Sequence, residues 1–283
     1  MIVINKVIIK KSDATASIIF FLFSSFLLPK SIRRISLKKI FLLMKSFEKN
    51  EASIRMGLSR AVKAGILKNV RENNKVYYEI TETGLKNIED TRNIFHLYSR
   101  KISFKNNGWN NYWCTINIQS DCSNEKREEF SEYISKLGFA QINRGSFIYP
   151  FDLSKDVQLK IEELKIEDSV YVFLSRFSYY QNASKIINKL WNISEINKGY
   201  FEFITKYPPT ITLTSIGESN LIPFCHSFTY DFNEIIKIDP VLPQEFLGTN
   251  WEGDKALRMV DYFNKTLVGP TKEYVNKILS IND

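Results

Sequence analysis

The stretch from Ser36 to Ile80 constrains the fold of this 283-residue chain more than any other part of the sequence. Ser36 is a favourable N-cap for a helix whose apolar residues recur at amphipathic spacing: Leu37, Ile40, Phe41, Met44 and Phe47. A second helix is predicted from Ser53, because at about 100° per residue its small apolar residues gather on one side. That inner side holds Ile54, Gly57, Leu58, Ala61, Val62 and Gly65. Side chains this small permit close packing against the preceding helix.

Two short strands are predicted directly after these helices, at residues 67–70 and 76–80. The residues between them, Arg71-Glu72-Asn73-Asn74-Lys75, include an asparagine pair that tolerates left-handed turn geometry. Two helices followed by a basic hairpin form a winged helix-turn-helix, with Arg71 and Lys75 at the tip of the wing. Thr81 is predicted to cap a further helix that leads out of this domain.

The outer side of the helix that starts at Ser53 holds Arg55, Met56, Ser59, Arg60 and Lys63. An arginine fork can grip guanine O6 and N7, and serine or lysine can hold phosphate groups. The candidate DNA contacts are therefore Arg55, Ser59, Arg60 and Lys63, with Arg71 and Lys75 from the hairpin. A solvent-exposed amphipathic helix without any partner has the same pattern. The helix alone therefore does not distinguish a DNA-binding face from a solvated one.

The distribution of charge favours a nucleic-acid partner. Residues 1–108 contain 21 basic and 8 acidic residues, a balance of +13. The rest of the chain contains 18 basic and 23 acidic residues, a balance of −5. A basic N-terminal third on a mildly acidic body is typical of a DNA-binding head joined to domains with another task. An anionic membrane would attract the same head, so a basic peripheral membrane protein remains a weaker alternative.

The apolar run from Ile18 to Leu28 is short for a membrane span. It has 11 residues interrupted by Ser24 and Ser25, whereas about 20 are needed to cross a bilayer. No small-x-small cleavage site follows the run, as a secretory signal peptide would require. We expect a buried helix from Ala16 to Leu28 that stops at Pro29, in a cytoplasmic protein with no membrane segment.

Cysteine and histidine are too sparse for a disulfide framework or a metal site. The chain has three cysteines, Cys114, Cys122 and Cys225, and two histidines, His96 and His226. Cys225 and His226 are adjacent, but no second cluster completes a zinc site. We expect neither a metal nor a cofactor.

A different pattern begins after the basic segment Tyr98–Lys101 and the polar segment Lys105–Gly108. Strands and helices then alternate, which suits a ferredoxin-like α/β sandwich. The predicted strands are Tyr112–Ile118, the material on both sides of a turn at Asn143–Gly145, and a buried strand at Ser169–Leu174. The predicted helices are Asn124–Leu137 and Leu153–Leu164.

From about Ala183 the pattern is mostly helical and rich in aromatic residues. The predicted helices are Lys185–Trp191, Ile196–Tyr207, Pro223–Ile238 and Lys255–Leu267. The aromatic residues indicate a helical core with a dimer surface, or alternatively an apolar ligand pocket. The predicted fold class is α+β, in four segments: a winged helix-turn-helix (1–90), a linker helix or hinge (91–108), a ferredoxin-like dimerisation domain (109–180) and a helical C-terminal domain (181–283).

Several strings, in their order and spacing, give the chain a resemblance to a known family over about residues 16–268. Ser53-Ile-Arg-Met-Gly-Leu-Ser-Arg60 matches its recognition-helix string, and Gly65-Ile66-Leu67 and Tyr77–Gly84 continue the match through the hairpin. Further matches are Gly108-Trp109, Leu137-Gly138-Phe139, Asp239-Pro-Val-Leu-Pro243 and Trp251-Glu252-Gly253. The chain resembles the PaaX-type transcriptional repressors, regulators of phenylacetic acid degradation.

The resemblance implies a homodimer that binds an inverted-repeat operator in double-stranded DNA. It also implies release by a coenzyme A thioester, typically an aryl-acetyl one. The chain departs from the family pattern at Ser24-Ser25-Phe26, at Ser31–Arg34 and at Phe232–Lys237, where the family usually has arginines before its Asp-Pro signature. If those arginines hold an anionic ligand, the effector here differs or is absent.

The middle segment also resembles the small CRISPR-associated ferredoxin-like nucleases, which place an aspartate at the end of their first strand. The corresponding strand here ends Ile116-Asn117-Ile118-Gln119, and Asp121 lies beyond it. Asparagine and glutamine do not supply the carboxylate that a catalytic metal needs. We therefore expect a non-enzymatic transcriptional regulator, a dimeric repressor with an acyl-CoA effector; a metal-dependent nuclease is the alternative. The ligand-binding residues, the operator and the regulated genes do not follow from the sequence.

Overall fold

A computed structural model describes residues 15–177 and 183–281, with the side chains of 183–186 excepted. It confirms the predicted α+β fold class. The chain forms two compact units. The first holds the described residues up to Asn93 together with 203–233 and those from 255 onward, and the second holds 94–202 and 234–254.

The N-terminal part of the first unit contains helices α1 to α3 and a small sheet. The predicted first helix is α-helical only at its start; a π-helical turn (Phe23–Leu27) and a 3-10 turn (Leu28–Lys30) follow, and Pro29 lies inside the latter. The elements are α1 (Thr15–Leu22), β1 (Arg34–Ser36), α2 (Leu37–Met44), α3 (Glu51–Lys63), β2 (Leu67–Glu72) and β3 (Lys75–Ile80).

The caps of these helices follow from local hydrogen bonds. The Ser36 side chain accepts from the amide of Lys39, as the sequence predicts for the start of α2. The predicted cap of α3 is wrong: Asn50, and not Ser53, is the N-cap, and its side-chain oxygen accepts from the Ser53 amide at 2.8 Å. Both side chains are good cap acceptors, and the earlier one adds a turn to the start of the helix.

The sheet of the first unit is antiparallel with the order β1-β3-β2. Strand β1 does not stand out in the sequence because it is only three residues long. The hairpin between β2 and β3 turns on Asn73 and Asn74 alone, both with positive φ, of 47° and 60°. Left-handed geometry at both turn positions suits the twist of a two-residue hairpin, which explains the asparagine pair.

The core of the first unit is completed by the C-terminal part of the chain. Buried residues of α1 to α3 and the small sheet pack in one cluster with Ile222, Val275 and Ile278. The C-terminal elements are α8 (Ile193–Lys206), α9 (Leu213–Ile216), α10 (Leu221–Ile236), α11 (Gly253–Thr266) and α12 (Val268–Leu279). Ile222 lies near the start of helix α10, and Val275 and Ile278 lie on helix α12.

Helix α4 (Glu82–Asn106) follows the hairpin and is capped at Thr81, whose hydroxyl accepts from the Gly84 amide at 3.1 Å. The cap matches the sequence-based expectation. The helix is continuous through the basic segment Tyr98–Lys101, and both Tyr98 and Lys101 are buried. This segment is therefore one turn of a helix with an inward face.

The second unit contains a four-stranded antiparallel sheet in the order β5-β6-β4-β7. With one helix after the first strand and another after the third, this is the connectivity of the ferredoxin-like sandwich. Phe130 and Ile134 of one helix and Val157 and Ile161 of the other pack into the core of the sheet. The elements are β4 (Trp113–Ile118), α5 (Asn124–Lys136), β5 (Ala140–Asn143), β6 (Ser146–Tyr149), α6 (Ser154–Leu164), β7 (Val170–Ser175) and α7 (Ala183–Trp191).

Strand β7 is not buried along its length, contrary to the sequence-based expectation. Val170 is buried, but Tyr171 and Phe173 are each 49% exposed and Leu174 is 52% exposed. Among the described residues β7 pairs with β4 alone, so it is an edge strand. An apolar sequence does not distinguish a covered central strand from an apolar edge strand.

Candidate nucleic-acid interface

The two faces of α3 are separated as the sequence predicts. Ile54, Gly57, Leu58 and Ala61 are buried on the inner face. The four predicted contact residues of this helix, Arg55, Ser59, Arg60 and Lys63, are all exposed. The outer face is therefore a solvent-accessible row of guanidinium, hydroxyl and ammonium groups along three turns of helix.

Gly57 explains why the inner face must be small. A Cβ built at Gly57 would lie 2.4 Å from Cγ2 and 2.5 Å from Cβ of Thr15 at the start of α1. The hydroxyls of Thr15 and Ser53 lie 3.3 Å apart beside this crossing. Helix α1 thus packs directly on the backbone of α3, which fixes the position of the exposed face.

Arg55 is held by its neighbours. Its guanidinium lies 5.1 Å from the centroid of the Phe41 ring, and Glu51 approaches it to 3.8 Å one turn earlier on α3. A cation over an aromatic face contributes about 0.5–1 kcal/mol at an exposed site. These two contacts therefore orient the Arg55 guanidinium in the absence of a bound partner.

Arg60 lies on the other flank of the same face. Its Nη2 donates to the sulfur of Met56 at a distance of 3.6 Å. Neither Phe41 nor Met56 is among the predicted contact residues. The sequence places Met56 on the outer side of the helical wheel, so its exposure could be predicted. The contact between Arg55 and Phe41 could not, because it depends on how α2 crosses α3.

The hairpin places Arg71 and Lys75 near its turn, both exposed. Lys75 is in the pair next to the turn, opposite Glu72, whereas Arg71 is one pair further back, opposite Val76. Because β2 and β3 extend up to the two-residue turn, the tip is tighter than the five-residue connection read from the sequence.

Two acidic side chains of the hairpin are neutralised by ion pairs. Arg34 on β1 pairs with Glu72, and its guanidinium also lies 4.1 Å from the centroid of the Tyr77 ring. Lys68 pairs with Glu79 at 3.0 Å. These pairs reduce the repulsion that the two carboxylates would exert on a phosphate backbone. The role of Arg34 was missed, because the strand that carries it was not predicted.

The second unit contains a buried chain of hydrogen bonds. The hydroxyl of Tyr200 donates to the carboxylate of Asp239 at 2.6 Å and lies 2.9 Å from the hydroxyl of Tyr98. The amide of Val241 also donates to Asp239, at 2.7 Å. Burial raises the pKa of the Asp239 carboxyl, and the hydrogen bonds oppose that shift. The Asp239-Pro240 string of the sequence thus anchors a structural network.

Lys101 lies near this network, where it interacts electrostatically with Asp239. Its side chain is buried, with 3% of its surface exposed. Its ammonium lies 5.4 Å from the centroid of the Tyr149 ring. Burial lowers the pKa of Lys101 to about 8, although Asp239 opposes the shift.

The end of β4, where the ferredoxin-like nucleases hold a metal, is occupied differently here. Asp121 is exposed, and the guanidinium of Arg127 donates to the carbonyl oxygen of Gln119 at 2.7 Å. In the described ranges 15–177 and 183–281 no three His, Cys, Asp or Glu side chains lie close enough to hold a metal. Over the same ranges, no helix combines the length and apolarity required to cross a membrane.

Comparison with known proteins follows the division of the chain. A family model described as PaaX-like protein matches residues 14–84. The PaaX protein central Cas2-like domain matches residues 106–187, and the PaaX-like protein C-terminal domain matches residues 191–277. The three matches stand in family order and cover most of the chain.

Individual relatives are more distant. The chain is 20% identical over 217 residues to the transcriptional repressor PaaX of Escherichia coli strain K12, over 74% of this chain and 66% of that protein. Its fold is similar to that of the uncharacterized protein Rv0674 from Mycobacterium tuberculosis, with a TM-score of 0.58 and 15% identity over 95% of this chain and 100% of that one. From the three ordered matches together, the chain belongs to the PaaX-like protein family.

Proposed function

We propose that this protein is a DNA-binding transcriptional regulator that reads double-stranded DNA with α3. The exposed basic face of α3, backed by a buried inner face, is the observation that carries the proposal. The similarity to a protein named a transcriptional repressor supports the same class of function and a repressing role. We further propose that the protein acts in the cytoplasm and has no enzymatic activity.

The proposed roles follow from the position of each side chain. Arg55 and Arg60 flank the outer face and contact base edges, with guanine O6 and N7 as the acceptors that suit a guanidinium fork. Ser59 binds a base or the DNA backbone from the same face, and Lys63 binds phosphate. Arg71 and Lys75 reach phosphate or the minor groove from the hairpin.

We propose that two copies of the chain bind an inverted-repeat operator. Dimeric helix-turn-helix proteins place their recognition helices about 34 Å apart, one turn of DNA. The edge strand β7, with Tyr171, Phe173 and Leu174 exposed, is the surface that we assign to the dimer. An apolar, unpaired strand edge is otherwise a liability for aggregation.

We propose that a small molecule, of the acyl-CoA thioester class, releases the protein from DNA. The support is the family membership alone. A ligand that binds one spacing of the two heads more tightly lowers DNA affinity by the difference in its binding free energy. A thermal-shift screen of acyl-CoA thioesters with no stabilising compound would remove this part of the proposal.

The DNA-binding proposal is tested by fluorescence anisotropy. A labelled duplex from upstream of the protein's own coding sequence, and duplexes selected from a random pool, are titrated at two salt concentrations against scrambled competitor. We expect salt-dependent binding that survives the competitor. Weak binding that is equal for all sequences would contradict the proposal and leave a generic basic surface.

The dimer proposal is tested by light scattering coupled to size exclusion. Phe173→Glu places a charge on the exposed edge of β7, and we expect it to convert a dimer to a monomer. Leu159→Glu is the matched control, because Leu159 is 68% exposed on α6, away from that strand. A wild-type monomer, or a dimer in which both variants behave alike, would contradict the assignment of this surface.

A further inference from the structure

The centre of the outer face of α3 is apolar in its N-terminal half, between the flanking arginines. Ala52, Met56, Ser59 and Lys63 follow one another at four- and three-residue steps, so they form a single row along the helix. This row points away from the buried residues Gly57 and Ala61. Arg55 and Arg60 lie on its two flanks. The N-terminal half of the row is thus an alanine and a methionine between two arginines.

Met56 is a large apolar side chain exposed on this face. Its side chain is 51% exposed, and the contact noted for its sulfur is with the Arg60 guanidinium at 3.6 Å. Ala52, one turn earlier, is also exposed. A methionine side chain is flexible and polarizable, so it adapts to an irregular apolar surface.

We propose that Met56, with Ala52 beside it, reads thymine through the C5-methyl group in the major groove. Among the base edges of that groove, thymine alone presents a methyl group, and apolar side chains are its usual protein contact. The surrounding charge favours this partner over a protein one, because Arg55, Arg60 and Lys63 stand around the apolar pair. The inference rests on the proposed function and adds a specificity determinant to it.

The first residues of a recognition helix approach the base edges most closely. Ala52 and Met56 lie in the first half of α3, and Lys63 is its last residue. This order along the helix places Ala52 and Met56 over the bases and Lys63 over the DNA backbone. The flanking arginines then select guanines on either side of a thymine.

Replacing thymine by uracil removes that methyl group and leaves every hydrogen-bonding group in place. The tightest duplex selected from the random pool is therefore prepared again with each thymine in turn replaced by uracil. For the wild-type protein we expect about a fourfold loss of affinity at each contacted thymine, from the loss of one buried methyl group. For Met56→Ala we expect a weaker affinity for the thymine duplex and a thymine-to-uracil ratio close to one.

Two controls separate the possible outcomes. Lys63→Ala is expected to weaken binding to thymine and uracil duplexes equally, so its ratio stays that of the wild type. Met56→Leu retains an apolar side chain and is expected to retain the ratio. The inference is overturned if the wild type binds the thymine and uracil duplexes equally at every position. It is also overturned if Met56→Ala keeps the wild-type ratio of thymine to uracil affinity; in both cases DNA binding itself stands. Absence of sequence-selective binding by the wild type overturns both the inference and the proposed function.

Discussion

The hydroxyl of Tyr200 and the carboxylate of Asp239 are joined by a 2.6 Å hydrogen bond inside the second unit. Since Tyr200 donates to Asp239, the hydroxyl of Tyr98 must donate to Tyr200 across their 2.9 Å separation. Burial raises the pKa of both phenols, so both keep their protons at neutral pH. Three elements, α4, α8 and the loop after α10, are tied together by this chain.

We expect Tyr200→Phe to destabilise the second unit by about 1–3 kcal/mol, because a buried carboxylate and a buried phenol each lose a partner. All four tryptophans of the chain lie in the second unit, so urea unfolding followed by tryptophan fluorescence reports on it. Tyr112→Phe, at an exposed site of the same unit, is the matched control and should change stability by less than about 0.5 kcal/mol. Equal effects of the two substitutions would contradict the structural role of the network.

We expect Lys101→Met to stabilise the second unit at pH 7 by about 1–3 kcal/mol. The pKa of Lys101 is lowered to about 8, so at pH 7 the folded protein carries a buried charge that the unfolded chain solvates better. As pH rises from about 8 towards 10.5, the unfolded lysine stays protonated while the folded one does not, so the wild type gains stability and the advantage of the variant shrinks. The same fluorescence assay from pH 7 to pH 9 measures this. Lys136→Met, at an exposed position, is the matched control, and an equal gain in stability for the two variants would contradict the cost of burying Lys101.

We expect His226 to make the first unit sensitive to acid. The ring is buried, its Nε2 lies 3.3 Å from the Ser17 hydroxyl, and burial lowers its pKa to about 4. The group therefore contributes up to about 3 kcal/mol that is present above pH 6.5 and lost as pH falls towards 4.

The measurement is urea unfolding by far-ultraviolet circular dichroism between pH 4 and pH 7, compared with the tryptophan signal of the second unit. His226→Gln should flatten the pH dependence of the first transition, whatever its effect at pH 7. His96→Gln is the matched control, because His96 is exposed on α4. An unchanged slope in His226→Gln would show that another group controls acid unfolding.

We expect Gly57→Ala to destabilise the first unit by about 1–3 kcal/mol through overpacking. The new methyl group would lie within 2.5 Å of the Thr15 side chain, and this cost exceeds the gain of about 1 kcal/mol in helix propensity. Gly269→Ala in α12 is the matched control, since a Cβ there meets nothing within 4 Å. The melting temperature should fall for Gly57→Ala and rise for Gly269→Ala. A higher melting temperature for Gly57→Ala would mean that α1 does not cross α3 closely.

We expect Arg55→Ala and Lys63→Ala to impair DNA binding in different ways. Loss of a bidentate base contact at Arg55 should cost about 1–3 kcal/mol and relax sequence preference. Loss of a phosphate contact at Lys63 should weaken all duplexes alike and reduce the salt slope by about one. Competition anisotropy at several salt concentrations separates the two. If Arg55→Ala leaves affinity and specificity unchanged, its assignment to a base is wrong.

Local pattern was enough to predict the elements around the candidate site. The periodicity of α3 separates buried Ile54 and Leu58 from exposed Ser59, because one helical turn fixes that relation. The asparagine pair at 73 and 74 located the hairpin turn, because few residues tolerate positive φ. The cap of α3 was misassigned, since Asn50 and Ser53 have equivalent acceptors and only the path of the chain chooses between them.

Features that depend on distant residues could not be predicted. The contact of Arg55 with Phe41 requires the crossing of two helices, which no spacing encodes. The exposure of Phe173 depends on what lies across the sheet edge. The packing of Ile222 and Val275 with α1 to α3 joins residues more than a hundred positions apart in sequence.

That last feature has a consequence for protein synthesis. The core of the first unit extends from Ile18 to Ile278, so about 200 residues separate the N-terminal helices from the last core residue, and a ribosome adds about 5–20 residues per second. The N-terminal helices must therefore wait about 10 to 40 s after leaving the ribosome before the last part of their core exists. During this interval Ile18, Leu58 and their neighbours are incompletely covered, so we expect this surface to be the most aggregation-prone part of the nascent chain.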